Sequence, residues 1–100
     1  MNIELKDISG DFPTEPCVFA ACDSKYFMDH ASSFCNSAYK AGMPCHIHVV
    51  NPTKEVYEHC NIFKQKIFTP LSFTFNNMDV LDDHDQMRCF YACLRFLILP

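Results

Sequence analysis

Arg88 and Arg95 stand seven residues apart in a stretch that is otherwise mostly apolar. On a helix that interval is close to two turns, so both guanidiniums fall on nearly one stripe. Two cations on a greasy helix need anions to face, and a diphosphate is a natural one. Stems laid along apolar surface, or pairing with Asp82 or Asp83, account for the same two residues. Asp23 closes the run Cys17-Val18-Phe19-Ala20-Ala21-Cys22. At the end of a strand its carboxylate suits a ribose hydroxyl or a base edge, and it serves equally as the N-cap of a following helix. Asp83 and Asp85 form an Asp-x-Asp pair of the kind hard cations use, but they precede a helical stretch whose dipole favours negative charge there, so capping is the preferred reading. His46 and His48 share one side of a strand, and with His59 and Cys60 they sketch a zinc site whose spacing is looser than structural zinc sites show. No phosphate-binding glycine loop, nucleophile elbow or His-Glu-x-x-His occurs.

The elements that must carry these residues follow from hydrophobic patterning. The uninterrupted apolar run ending at Cys22 reads as a strand covered on both faces, the pattern of a central parallel strand. Phe27, Ala31, Phe34, Cys35 and Ala38 then recur as the stripe of an amphipathic helix, stopped by Gly42-Met43-Pro44. Cys45-His46-Ile47-His48-Val49-Val50 is a second strand. Asn51-Pro52 predicts the start of a second helix, with Asn51 as cap and Val56, Cys60, Phe63 and Ile67 inward. Thr69-Pro70 breaks it. Leu71-Ser72-Phe73-Thr74-Phe75 alternates apolar and polar residues, so it is expected at a sheet edge with one wetter face. Asn76-Asn77 turns the chain, and a last helix, apolar nearly all round, is expected from Asp85 to Leu99. Residues 1 to 16 read as a loosely ordered leader ending in Pro13 and Pro16.

Three strand-helix units about 30 residues apart predict an α/β fold: a three-layer, Rossmann-like partial sheet of three mainly parallel strands with three helices. The chain ends where a fourth strand is expected, which leaves the first strand without a neighbour on one side.

A 100-residue chain that is 49% hydrophobic suits one packed domain and argues against disorder. The net charge of −4 and eight scattered basic residues give no footprint for nucleic acid. No run approaches the roughly 20 apolar residues of a membrane span, and the first residues have no signal-peptide core. Seven cysteines, an odd number with no Cys-x-x-Cys pair, mostly lie in apolar periodic segments where a reduced thiol behaves as a small hydrophobe. A reducing, cytoplasmic location is the simplest expectation.

Val18-Phe19-Ala20-Ala21-Cys22-Asp23-Ser24-Lys25-Tyr26-Phe27, then His46-Ile47-His48-Val49-Val50-Asn51-Pro52, then Arg88 to Pro100 resemble, in that order, the amino-terminal half of nucleotide-sugar glycosyltransferases of the GT-A fold. The likeness is to the glycogenin and lipopolysaccharide galactosyltransferase type and spans residues 17 to 100. It implies that Asp23 and Tyr26 line a nucleotide pocket and that Arg88 or Arg95, the latter matching better, lies near the donor diphosphate. It also implies that the chain stops before the strand whose Asp-x-Asp holds manganese or magnesium, so no metal or other cofactor is expected in these residues, and the metal role does not pass to Asp83 and Asp85.

Two functions are therefore expected from this reading. One is the nucleotide-sugar-binding portion of a glycosyltransferase-like protein, binding its nucleotide diphosphate sugar weakly and without catalytic residues of its own. The other is a non-catalytic α/β interaction module whose open first strand and apolar last helix are completed by another chain or by self-association.

Overall fold

The computed structural model describes residues 7–67, 69–78 and 98. These form strands β1 (Ser9–Gly10), β2 (Val18–Asp23), β3 (Cys45–Val50) and β4 (Leu71–Asn76) and helices α1 (Ser24–Ala41) and α2 (Lys54–Lys66). The strands make one mixed sheet in the order β1-β4-β3-β2. β2, β3 and β4 run parallel, pairing Val18 with Cys45 and Cys45 with Leu71, while β1 lies antiparallel to β4.

β3 and β4 are each reached through a helix, and both helices pack on the same face. Right-handed crossovers that add strands in one direction require this. Phe27, Ala31, Cys35 and Ala38 of α1 and Val56 and Cys60 of α2 bury against Cys22, Cys45, Ile47, Val49, Phe73 and Phe75 of the sheet. The α1 ends follow their sequence signals: Asp23 caps the start, and Gly42, at φ 69°, takes the left-handed cap conformation that glycine adopts without a Cβ clash.

Several expectations are corrected. The central strand is β3, buried along its whole length, whereas β2 is outermost among the described residues. Its apolar run reflects packing on both faces, Val18, Ala20 and Cys22 toward α1 and Phe19 and Ala21 toward the cluster of Ile8, Val50 and Ile98, rather than a strand on either side. β4, expected at the edge, lies between β1 and β3. Its polar residues Thr74 and Asn76 are buried, because histidines of β3 occupy the wetter face predicted for them. Among the described residues the sheet has four strands rather than three, since the leader supplies one. Ile8 is buried, Asp11 N–H donates to Phe73 O at 3.0 Å, and Gly10, at φ 105°, passes so close to Phe73 that a Cβ would meet its carbonyl.

The second helix is capped by Thr53, not Asn51, and starts at Lys54. Asn51 instead takes φ 55°, a left-handed conformation that Asn tolerates better than most residues. Of the last helix expected from Asp85 to Leu99, only Ile98 is described: it is helical and packs with Ile8 and Val50 on the sheet face opposite α1 and α2. Among the described residues no helix is long and apolar enough to cross a membrane.

Candidate functional site

The carboxyl ends of the three parallel strands are tied together by short polar links. Asp23 Oδ1 accepts the Tyr26 N–H at 2.8 Å, so the capping role is realised. Ser24 Oγ donates to Asn51 O at 2.6 Å, and Asn51 N–H donates to Asn76 O at 2.7 Å. The Asn51 side chain clamps Met78 from both sides, Nδ2 donating to its carbonyl and Oδ1 accepting its N–H, each at 2.8 Å. Asn51 is thus the hub that joins the ends of β2, β3 and β4. Its position before a proline makes it look like a helix cap, and nothing local in the sequence distinguishes the two roles.

Capping leaves Asp23 exposed at the mouth of the sheet. Tyr26 is 57% exposed and its ring leans on His30, centroids 4.4 Å apart. Two open cavities, each about 380 Å³, meet along this edge. One runs under α1, where Phe27, Phe34 and Ile47 make it apolar; the other follows Ala20 to Asp23; Ala20, Cys22 and Tyr26 line both. The structure therefore brings Asp23 and Tyr26 to one concavity. Arg88 and Arg95 lie outside the described residues, as do Asp82, Asp83, His84 and Asp85.

A second constellation is one that sequence reasoning only half saw. His46 and His48 do share a face, and both are fully buried on it. The sheet separates them from Cys60, which packs beneath the helices, and His59 sits beside Met28 and Phe63 on the helical side. The sketched zinc site is thus divided, and no group of three or more His, Cys, Asp or Glu among the described residues could hold a metal ion.

The histidines instead alternate with polar residues of β4. His46 Nδ1 lies 2.6 Å from Ser72 Oγ and its Nε2 2.8 Å from Thr74 Oγ1; His48 Nδ1 lies 2.8 Å from the same Thr74 oxygen and its Nε2 2.6 Å from Asn76 Oδ1. Because Asn76 Oδ1 can only accept, His48 carries its proton on Nε2 and its Nδ1 accepts from Thr74. Thr74 has one proton to give, so it accepts from His46 Nε2–H, and Ser72 O–H donates to His46 Nδ1. One neutral, one-directional chain satisfies every group, and no described buried side-chain N or O lacks a partner.

Burial, and secondarily the neighbouring His48, pushes the His46 pKa down to about 4. Burial lowers that of His48 too, against an opposing contribution from the Asn76 hydrogen bond. A hydroxyl on an imidazole resembles an activated nucleophile. Yet a ring that protonates near pH 4, backed by a neutral hydroxyl instead of a carboxylate, is a weak general base at neutral pH. What the ladder does well is set register. In the observed pairing each ring reaches its direct neighbour, Ser72 or Thr74, and the next one along, and a slip of one residue puts both rings on the other face.

The described cysteines, Cys17, Cys22, Cys35, Cys45 and Cys60, are free thiols. Burial raises Cys22 and Cys60 to about 12, so both stay protonated and inert.

Fold and site together define a small α/β protein whose described residues form a mixed four-stranded sheet with helices α1 and α2 on one face, and an open concavity at the carboxyl end of β2, the outermost described strand. No family model, curated protein or solved structure matches the chain.

Proposed function

We propose that the concavity at the carboxyl end of β2 binds the nucleotide of a nucleotide diphosphate sugar, and that the chain is the nucleotide-binding portion of a glycosyltransferase-like protein of three-layer, GT-A type. The observation that carries this reading is the convergence of Asp23 and Tyr26 on one cavity. Ligands of open α/β sheets bind outside the carboxyl ends of the strands, at the point where strand order reverses. The order β4-β3-β2 is one arm of such a sheet, and the free side of β2 is where a reversal would fall. A cavity of about 380 Å³ is within the range of small-ligand sites.

In this role the exposed Tyr26 ring stacks on the base, and Asp23, which keeps one oxygen for its helix cap, accepts from a ribose hydroxyl or base edge with the other. Arg88 and Arg95 would face the diphosphate. Transfer of the sugar is not assigned to these residues, so binding alone is expected. Free cysteines fit a reducing compartment.

The test is a titration of uridine diphosphate into isotopically labelled protein, followed by amide NMR. Shifts should centre on residues 20–26, and Tyr26→Ala should weaken binding at least roughly fivefold, the low end of what base-aromatic stacking contributes. Shifts confined to the α2 face or to β1 would overturn the assignment.

A further inference from the structure

We propose that Met28 is a site of reversible oxidation, and that its sulfoxide is held by the His59 side chain as a clasp between α1 and α2. Met28 Sδ of α1 lies 3.2 Å from His59 Nδ1 of α2. A thioether sulfur can only accept, so Nδ1 carries the proton and donates it to the sulfur. The donor is held in that aim. His59 is half-buried and its ring stacks on Phe63, centroids 5.9 Å apart and planes 12° apart, while Phe63 packs against the core. Met28 itself is 42% exposed, so an oxidant in solution reaches it. Neither residue lines the cavities along β2, and the proposal stands apart from nucleotide binding.

The chemistry follows from how poorly this donor is used. Thioether sulfur is a weak acceptor, whereas oxidation turns the side chain polar and gives it an S–O oxygen that accepts strongly. With hydrogen peroxide as oxidant, a sulfur lone pair attacks one peroxide oxygen, the O–O bond breaks, and its electron pair leaves with the second oxygen as hydroxide. The proton on the transferred oxygen then passes to that hydroxide, so one sulfoxide and one water form, the sulfur being oxidised and the peroxide reduced. As the S–O bond polarises, an N–H already beside the sulfur binds the transition state better than the ground state. The flexible methionine needs only a small rotation to bring its new oxygen to Nδ1.

Exposure alone does not single out Met28, since Met43 is 40% exposed. The hydrogen bond that Met43 receives from Thr69, however, goes to its carbonyl and not to its sulfur, which makes it an internal control.

The test treats the full chain with dilute hydrogen peroxide and follows each methionine by peptide mass spectrometry. Met28 should oxidise roughly threefold faster than Met43, because a complete hydrogen bond is worth about tenfold and only part of it is made in the transition state. His59→Phe keeps a stacking ring, removes the N–H, and should bring the two rates together. In the oxidised chain the His59 Nδ1–H resonance should move downfield, return after treatment with methionine sulfoxide reductases, and stay unmoved in Met28→Leu. Equal rates in the native chain overturn the proposal. So does a preference that survives in His59→Phe, or an Nδ1–H resonance indifferent to oxidation of Met28.

Discussion

Replacing Thr74 with valine keeps the shape of the side chain and removes the one hydroxyl shared by two buried rings. In the native ladder Thr74 Oγ1 accepts from His46 Nε2–H and donates to His48 Nδ1, both at 2.8 Å. Valine strands a donor and an acceptor together, in a place where Thr74, His46 and His48 have no exposure to water that could replace the lost partner. An unsatisfied buried group costs about 1–3 kcal/mol, so the two together should cost about 2–6 kcal/mol. That is a large part of the roughly 5–15 kcal/mol by which domains are stable. Thr74→Ser keeps the hydroxyl, loses one methyl, and should cost only about 1 kcal/mol. Urea unfolding followed by circular dichroism gives both values as shifts in midpoint at constant slope. If valine costs no more than serine, the ladder is not held through Thr74, and the one-directional proton arrangement deduced from it is wrong.

Acid should unfold the protein through the same residues. The His46 pKa is depressed from an ordinary 6.5 to about 4 in the folded chain. As pH falls below about 6.5 the unfolded state takes up a proton that the folded state refuses. Stability is therefore full above that pH and is lost on acidification down to about pH 4, by about 3 kcal/mol from His46 alone and further in the same direction from His48. Urea midpoints that stay flat between about pH 7 and pH 4.5 would contradict this. At the other edge of the sheet, Gly10→Ala meets both an unfavourable left-handed φ and the Phe73 carbonyl, and should detach β1 from β4. Loss of hydrogen-exchange protection at Asp11, whose N–H donates to Phe73, with β3 protection unchanged, is the expected result; full protection in the variant would show that the strand accommodates a Cβ.

The local pattern of this chain is written plainly in its residues. The α1 stripe at Phe27, Ala31, Cys35 and Ala38, its Asp23 and Gly42 caps, and the ranges of the three parallel strands all follow from periodicity and terminal chemistry, which act over a few residues. Local chemistry points to Asp23 at the strand end, as cap or ligand acceptor, whereas only the family resemblance singles out Tyr26 beside it; the two are three positions apart across the strand-helix turn.

What neighbours what was decided only in three dimensions. A polar residue at every second position of β4 reads as a solvent-facing side, and nothing near Thr74 in sequence says that two imidazoles from β3, 26 and 28 residues away, will be its solvent instead. Asn51 shows the same limit, since a cap and a three-strand clamp use the same side chain and differ only in whether Met78 and Asn76 arrive beside it. The order of the described strands, which leaves β2 outermost among them, comes from the direction in which successive crossovers step across the sheet. Hydrophobic alternation determines which face of a strand is buried, but it carries no information about which strand lies alongside.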